Sequence, residues 1–328
     1  MKFGIFLPSF IVEGREASHA SDIRAFARRA EELGFDSLWI TDHIITARRF
    51  YRVSWLDSLM TLSHVAAITE RVRVGTSILI LPIRQPAILA KEVATLHYLS
   101  GGRYIYGIGV VWYGPEFEAC GVSKTQRGAR TDEVLAATLA LFSNPEVHFH
   151  GKYYELDGVT VEPHLATPPP VWSGGGSQLP HEQSPETPTM HPNVLRRIAG
   201  ADGWIARPTC PPDLIAADLD LIREARRVNA ASGPFTVAHE NFTWIEERGS
   251  RDDVIAVQQQ RFGAIVSDER PWDYIESVYL PGTIDEIQAK VQARVDAGVE
   301  YLMLHTLTAD LSQLELIARH IIEPFADR

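Results

Sequence analysis

Residues 72–112, VRVGTSILILPIRQPAILAKEVATLHYLSGGRYIYGIGVVW, decide the architecture of this chain. Residues 72–81 are β-branched and apolar, residues 86–99 carry Ile88, Leu89, Val93, Leu96 and Leu99 near helical spacing, and residues 104–110 are apolar again. Two continuous apolar runs joined by a helix predict a parallel βαβ unit covered on both faces. Glycines interrupt both runs, at Gly75 and at Gly107 and Gly109. They predict places where another group approaches the strand closely.

The same alternation extends outward in both directions. Residues 3–7 and 37–41 read as strands flanking a helix whose buried face is Ile23, Phe26, Ala27, Ala30 and Leu33, with Gly34 placed to end it. Downstream, residues 171–173, 203–206, 235–245 and 301–305 read as strands, and helices are predicted over 127–142, 193–199, 214–231 and 252–262. Thr283 followed by Glu286 predicts a capping box, and Gly298 stops that helix. Residues 147–150 and 153–156, around Gly151-Lys152, predict a hairpin added to the main fold. Residues 177–192, rich in Pro, Ser, Thr, Gln and Glu, predict an irregular insertion. With strands at 74–81 and 104–109 the pattern is that of a single (β/α)8 (TIM) barrel over residues 1–328, with insertions. Its chemistry belongs at the C-terminal ends of the strands.

Composition narrows the function. A 45% hydrophobic and 22% charged chain of 328 residues is an ordinary globular protein with a full core. The net charge of −11 argues against nucleic acid as a partner, because that binding rests on cations neutralising phosphates. No apolar run approaches the roughly 20 residues of a membrane span, and two cysteines without a leader-like apolar start predict a cytoplasmic protein. His148 and His150 alternate on a predicted strand, but two ligands do not make a metal site, and none is expected. Hydrolase and kinase motifs are absent from the sequence.

Asp42-His43, at the end of the second strand, is the strongest catalytic candidate, since a histidine titrates near neutrality and the adjacent carboxylate could orient it. Gly174-Gly175-Gly176, after a short strand, offers backbone N–H groups to a phosphate, and Arg196 or Arg197 could pair with it.

These residues also carry a likeness. Ser100-Gly101-Gly102-Arg103 with residues 90–96 before it and Gly107-Ile108-Gly109 after it, together with residues 39–43, 116–122, 127–130 and 201–204, resembles the luciferase-like flavin and deazaflavin oxidoreductases, most closely the coenzyme F420-dependent subgroup. The resemblance implies His43 as the catalytic residue, and cofactor binding by Asp42, Thr76, Ser77, Ile78, Val111, Gly174, Gly175 and Gly176. It implies a non-proline cis peptide between Ser77 and Ile78, and a homodimer. Trp112 and His305 are the candidates for the pocket of a small-molecule substrate. Two departures stand out: Val110-Val111 replaces the family's small residues, and the 177–192 insertion follows the glycines. The implied activity is hydride transfer between F420 and a small organic substrate. One alternative is a monooxygenase using reduced FMN; another is a protein that binds such a cofactor without turnover.

Overall fold

The computed structural model describes residues 1–11, 19–46, 51–178, 189–266 and 270–326. Eight parallel strands close on themselves: β1 (Lys2–Phe6), β2 (Ser37–Ile40), β3 (Arg73–Thr76, resumed at Leu79–Ile80), β4 (Tyr104–Gly109), β5 (Val171–Gly175), β6 (Gly203–Ala206), β7 (Thr236–Phe242) and β8 (Tyr301–His305). Closure is made where Ile5 pairs with Leu304 and Ser173 pairs with Ile108. This is the expected (β/α)8 barrel.

Helices follow the strands: α1 (His19–Glu32), α2 (Ser58–Ala66), α3 (Pro86–Leu99), the short α4 (Gly114–Ala119), which was not read from sequence, α5 (Arg127–Ser143), α6 (Pro192–Ala199), α7 (Pro212–Val228), α8 (Arg251–Ile265), α9 (Trp272–Val278), α10 (Ile284–Asp296) and α11 (Leu311–Ile317). Local chemistry sets their ends. Asp57 accepts from the Met60 N–H to start α2, Gln85 accepts from the Ile88 N–H ahead of Pro86 to start α3, and the Thr283–Glu286 capping box opens α10. Gly34 (φ 83°) and Gly298 (φ 93°) carry the left-handed turns that end α1 and α10.

The barrel interior is filled by Phe6, Trp39, Ile105, Trp172, Ile205, Tyr301 and Met303. Trp39 and Trp172 stack at 5.4 Å between ring centroids. Glycines make that possible: a Cβ at Gly4 would lie 2.3 Å from the Trp39 indole, one at Gly75 2.5 Å from it, and one at Gly203 2.7 Å from Trp172. The glycine that interrupts the 72–81 run therefore admits a core tryptophan rather than a ligand.

Several boundaries differ from expectation. The third strand breaks at Ser77–Ile78, where the peptide bond is cis, as the resemblance implied. The seventh ends at Phe242 instead of 245, because Thr243 leaves the ladder to bridge Leu280. The hairpin pairs Val147–His150 with Glu155–Val159, three residues beyond the predicted partner's end. A ribbon of Phe10–Ile11 with Ser54–Trp55, not read from sequence, lies beside the strand mouths. Most of the 177–192 insertion falls outside the described residues. Its entrance is fixed, since Ser177 is buried and donates from N and Oγ to Asp218 at 2.8 and 2.5 Å.

Candidate active site

A cavity of about 620 Å3 opens at the C-terminal ends of β2 to β7. Its walls hold most of the residues singled out from sequence: Asp42 and His43 after β2, Ser77 and Ile78 in the break of β3, Val111 and Trp112 after β4, and Gly174, Gly175 and Gly176 from β5.

His43 is almost enclosed, with 8% of its side chain exposed. Its Nδ1 lies 3.1 and 3.2 Å from the two carboxylate oxygens of Glu116, which is wholly buried on α4 and also accepts from the Ile44 N–H at 2.7 Å. A carboxylate on Nδ1 selects the Nδ1–H tautomer and leaves Nε2 as the acceptor. Trp55 packs against the imidazole with 4.8 Å between ring centroids. Nε2 has no hydrogen-bond partner among the described residues. The orienting carboxylate is thus Glu116, from 73 residues away, and not the adjacent Asp42. The sequence held a weak signal, a glutamate in the EFEACGV motif, but gave no sign that Glu116 is buried while Glu118 is exposed.

Asp42 lines the cavity, yet its carboxylate is committed inside the fold. It accepts from Ser58 Oγ at 2.9 Å, from the Ile80 N–H at 2.9 Å and from Arg84 Nη2 at 3.0 and 2.9 Å. Asp42 thereby ties the end of β2 to the segment just past the Ser77–Ile78 break. Thr76 does not reach the cavity, because its Oγ1 donates to the Gly107 carbonyl at 2.7 Å. His305 is likewise absent from the main wall. It is sandwiched between Phe6 (3.6 Å) and Phe242 (4.3 Å), with Nε2 3.2 Å from Glu240 Oε1. Burial pushes its pKa down, and Glu240 opposes that shift. Glu240 itself lines the cavity and accepts from Ser77 Oγ at 2.7 Å.

One isoleucine and the β5 glycines shape the wall between β3 and β5. Ile78 is thrust inward over Gly109 and Gly174, where an added Cβ would fall 1.7 and 2.7 Å from Ile78 carbons. Gly175 (φ 151°) and Gly176 (φ 142°) hold backbone that side chains rarely adopt. Arg207 and Arg197 stand on this side of the cavity. Arg196 Nη2 and Arg197 Nε both bond Asp132, at 2.7 and 2.5 Å, so neither is an uncommitted phosphate ligand.

The luciferase-like monooxygenase family profile matches residues 1–183. The chain belongs to the luciferase-like family. Within it, an F420-dependent glucose-6-phosphate dehydrogenase from Kineococcus radiotolerans is 30% identical over 315 residues, covering 88% of this chain and 88% of that protein. Among solved structures, monooxygenase RslO1 from Streptomyces bottropensis superposes with a TM-score of 0.81 at 20% identity, over 99% of this chain and 100% of its own. An F420-dependent secondary alcohol dehydrogenase, solved with an F420-acetone adduct, gives 0.79 at 19% identity over 98% of each chain. At those identities the two structures speak for the fold, and the luciferase-like barrel described above is that fold.

Proposed function

We propose that this luciferase-like barrel is an F420-dependent oxidoreductase that moves a hydride between the deazaflavin and a small organic substrate. The observation that carries the proposal is the buried His43–Glu116 pair opening onto a cavity walled by Ile78 and the β5 glycines. The full-length relative named for F420 supports the choice of cofactor. When bound, the deazaflavin would supply the carbon that accepts or donates hydride.

The chain's own residues do the rest. Ile78 and Ser77 support the ring, Val111 presses on it from the end of β4, and Gly174, Gly175 and Gly176 line the cavity with backbone. Asp42 acts by holding the β3 break in place. His43 Nε2 takes a proton from a substrate hydroxyl as hydride leaves its carbon, or returns one in the reverse direction, while Glu116 stabilises the imidazolium that results. Trp112 stands at the substrate side of the cavity. The working form is a cytoplasmic homodimer, with Met60 of α2 and Ile88, Tyr98 and Leu99 of α3 as an exposed apolar face suited to a second copy.

Anaerobic titration with F420 and FMN side by side tests the reading. F420 should bind at least ten times more tightly. Comparable weak binding of both would remove the assignment, and a clear preference for FMN would replace it with a reduced-flavin monooxygenase.

A further inference from the structure

A second histidine and carboxylate meet at the cavity wall, and the chemistry assigned to His43 leaves them unused. Glu240 on β7 faces the main cavity. Its Oε2 accepts from Ser77 Oγ at 2.7 Å, and its Oε1 lies 3.2 Å from His305 Nε2 on β8. The His305 ring is clamped parallel to Phe6 and Phe242, with interplanar angles of 17° and 7°. Beside it is a chamber of about 30 Å3 whose wall shares Thr41, Tyr51 and Glu240 with the main cavity. A space of that size holds about two waters, given roughly 10–15 Å3 of probe-occupied volume for each.

We infer that Ser77, Glu240 and His305 form a second proton-holding chain of this site, in which Glu240 exchanges one proton with a group bound against the Ser77 wall. His305 is a positioning residue that acts through Glu240. The inference rests on the proposed reading of the cavity as a cofactor and substrate site. The Glu240 carboxylate, held by the Ser77 hydroxyl and the His305 N–H, takes a proton from an acidic atom of the bound group, which is left with the electron pair of that bond. The reverse step restores it, and no electrons are transferred. His43 serves the substrate oxygen. Glu240 serves a different proton, and the two histidine–carboxylate pairs share no hydrogen bond.

The groups facing this chain bear on its titration. Thr41 and Tyr51 border the chamber from the β2 side, Ser77 reaches Glu240 from the β3 break, and Arg270 and Tyr279 come from the segment around α9. Phe6 from β1 and Phe242 from β7 add no charge. Burial opposes charge on His305, and Glu240 favours it.

The test begins on the protein without cofactor. Histidine-ring NMR between pH 5 and 9, with His305→Gln to assign the signal, should show the His305 midpoint falling by about one pH unit in Glu240→Gln, because loss of the carboxylate removes what stabilises the imidazolium. Glu240→Asp, which keeps the charge, should fall between the two and serves if the glutamine variant does not fold. An unmoved midpoint overturns the inference whichever cofactor binds. In a second arm, F420 and FMN affinity is followed over the same pH range. A pH-dependent step present in wild type and in His43→Ala but lost in Glu240→Gln is the expected result, and a step that survives in Glu240→Gln overturns it. Failure of wild type to bind either cofactor would count against the proposed function, a result separable from the unmoved midpoint.

Discussion

His43–Glu116 and His305–Glu240 are built from the same two side chains at nearly the same separation, 3.1 and 3.2 Å, but in opposite order. In the first pair the imidazole faces the cavity and the carboxylate is sealed behind it. In the second the carboxylate faces the cavity and the imidazole stands behind it, clamped between two phenylalanine rings. Order decides what each pair can offer. A histidine in front with a buried carboxylate on Nδ1 turns Nε2 to the cavity, where it can accept or donate a proton. A carboxylate in front, braced by a neutral imidazole and a serine hydroxyl, is a hydrogen-bond acceptor and a weaker base.

The largest expected effect separates the two carboxylates near His43. Asp42 is adjacent in sequence, but it holds Arg84, Ser58 and the Ile80 N–H. Asp42→Asn would strand the mostly buried Arg84 guanidinium without its anion and should cost about 3–5 kcal/mol of stability, read by chemical denaturation. Loss of turnover with unchanged stability would mean that Asp42 works on the ring after all.

Next in size is the base itself. His43→Ala should lower kcat by ~10²-fold or more, about 2.7 kcal/mol, while cofactor affinity stays nearly constant. Glu116→Gln, nearly isosteric, should lower kcat by roughly tenfold through a weaker base. If Glu116→Gln is silent while Glu240→Gln is as damaging as His43→Ala, the roles given to the two pairs are exchanged.

A third histidine sharpens the contrast, because its partner is a cation. His239 is fully buried, accepts at Nδ1 from Arg294 Nε at 3.2 Å and donates from Nε2 to the Arg207 carbonyl at 3.0 Å. Burial, then Arg294, hold its pKa well below the ordinary value. The unfolded chain takes up a proton near pH 6.5 and the folded chain does not. Stability is therefore fully present above about 6.5 and is lost as pH falls toward the folded value, by up to about 1.4 kcal/mol per pH unit. Burial also lowers the pKa of His97 and His305, which adds to the acid loss in the same direction. Thermal melts from pH 7.5 to 5 should show the fall, and His239→Gln, which can keep both hydrogen bonds, should flatten it. An equal slope in that variant would assign the acid loss to other groups.

The barrel was legible because period and punctuation agreed along the chain. Apolar runs, helix spacing and end signals such as Gly34, Gly298 and the Thr283 box each pointed to the same alternation. The place of His43 followed from its position at a strand's end. Its partner did not, because Glu116 and Glu118 differ by two residues on a one-turn helix and only the packing of α4 against the barrel buries the first. Glu240 and His305 were hard for a related reason. Both lie near the ends of their strands, and whether a side chain there enters the cavity or the layer behind it depends on its neighbours' bulk, here Phe6 and Phe242. Thr76 was misplaced by the same uncertainty. The ribbon formed with Ser54–Trp55 is two residues wide and leaves no periodic trace.

The smallest expected effect concerns the wall between β3, with Ser77, and the β5 glycines. Val111 stands there in a left-handed backbone (φ 58°), which a β-branched residue adopts at a cost of about 1–2 kcal/mol. Glycine would carry that φ without strain, but it would also free the unfolded chain by about 0.5–1 kcal/mol and remove a half-buried side chain from the wall. These terms nearly cancel, so Val111→Gly should change stability by less than about 1 kcal/mol, while F420 binds more weakly because the wall no longer presses on the ring. Unchanged affinity together with higher stability would show that the strained valine does nothing for the cofactor. Lower stability by more than that margin would make Val111 a packing residue, and the cavity between the two histidine–carboxylate pairs would then be shaped by Ile78 and the glycines alone.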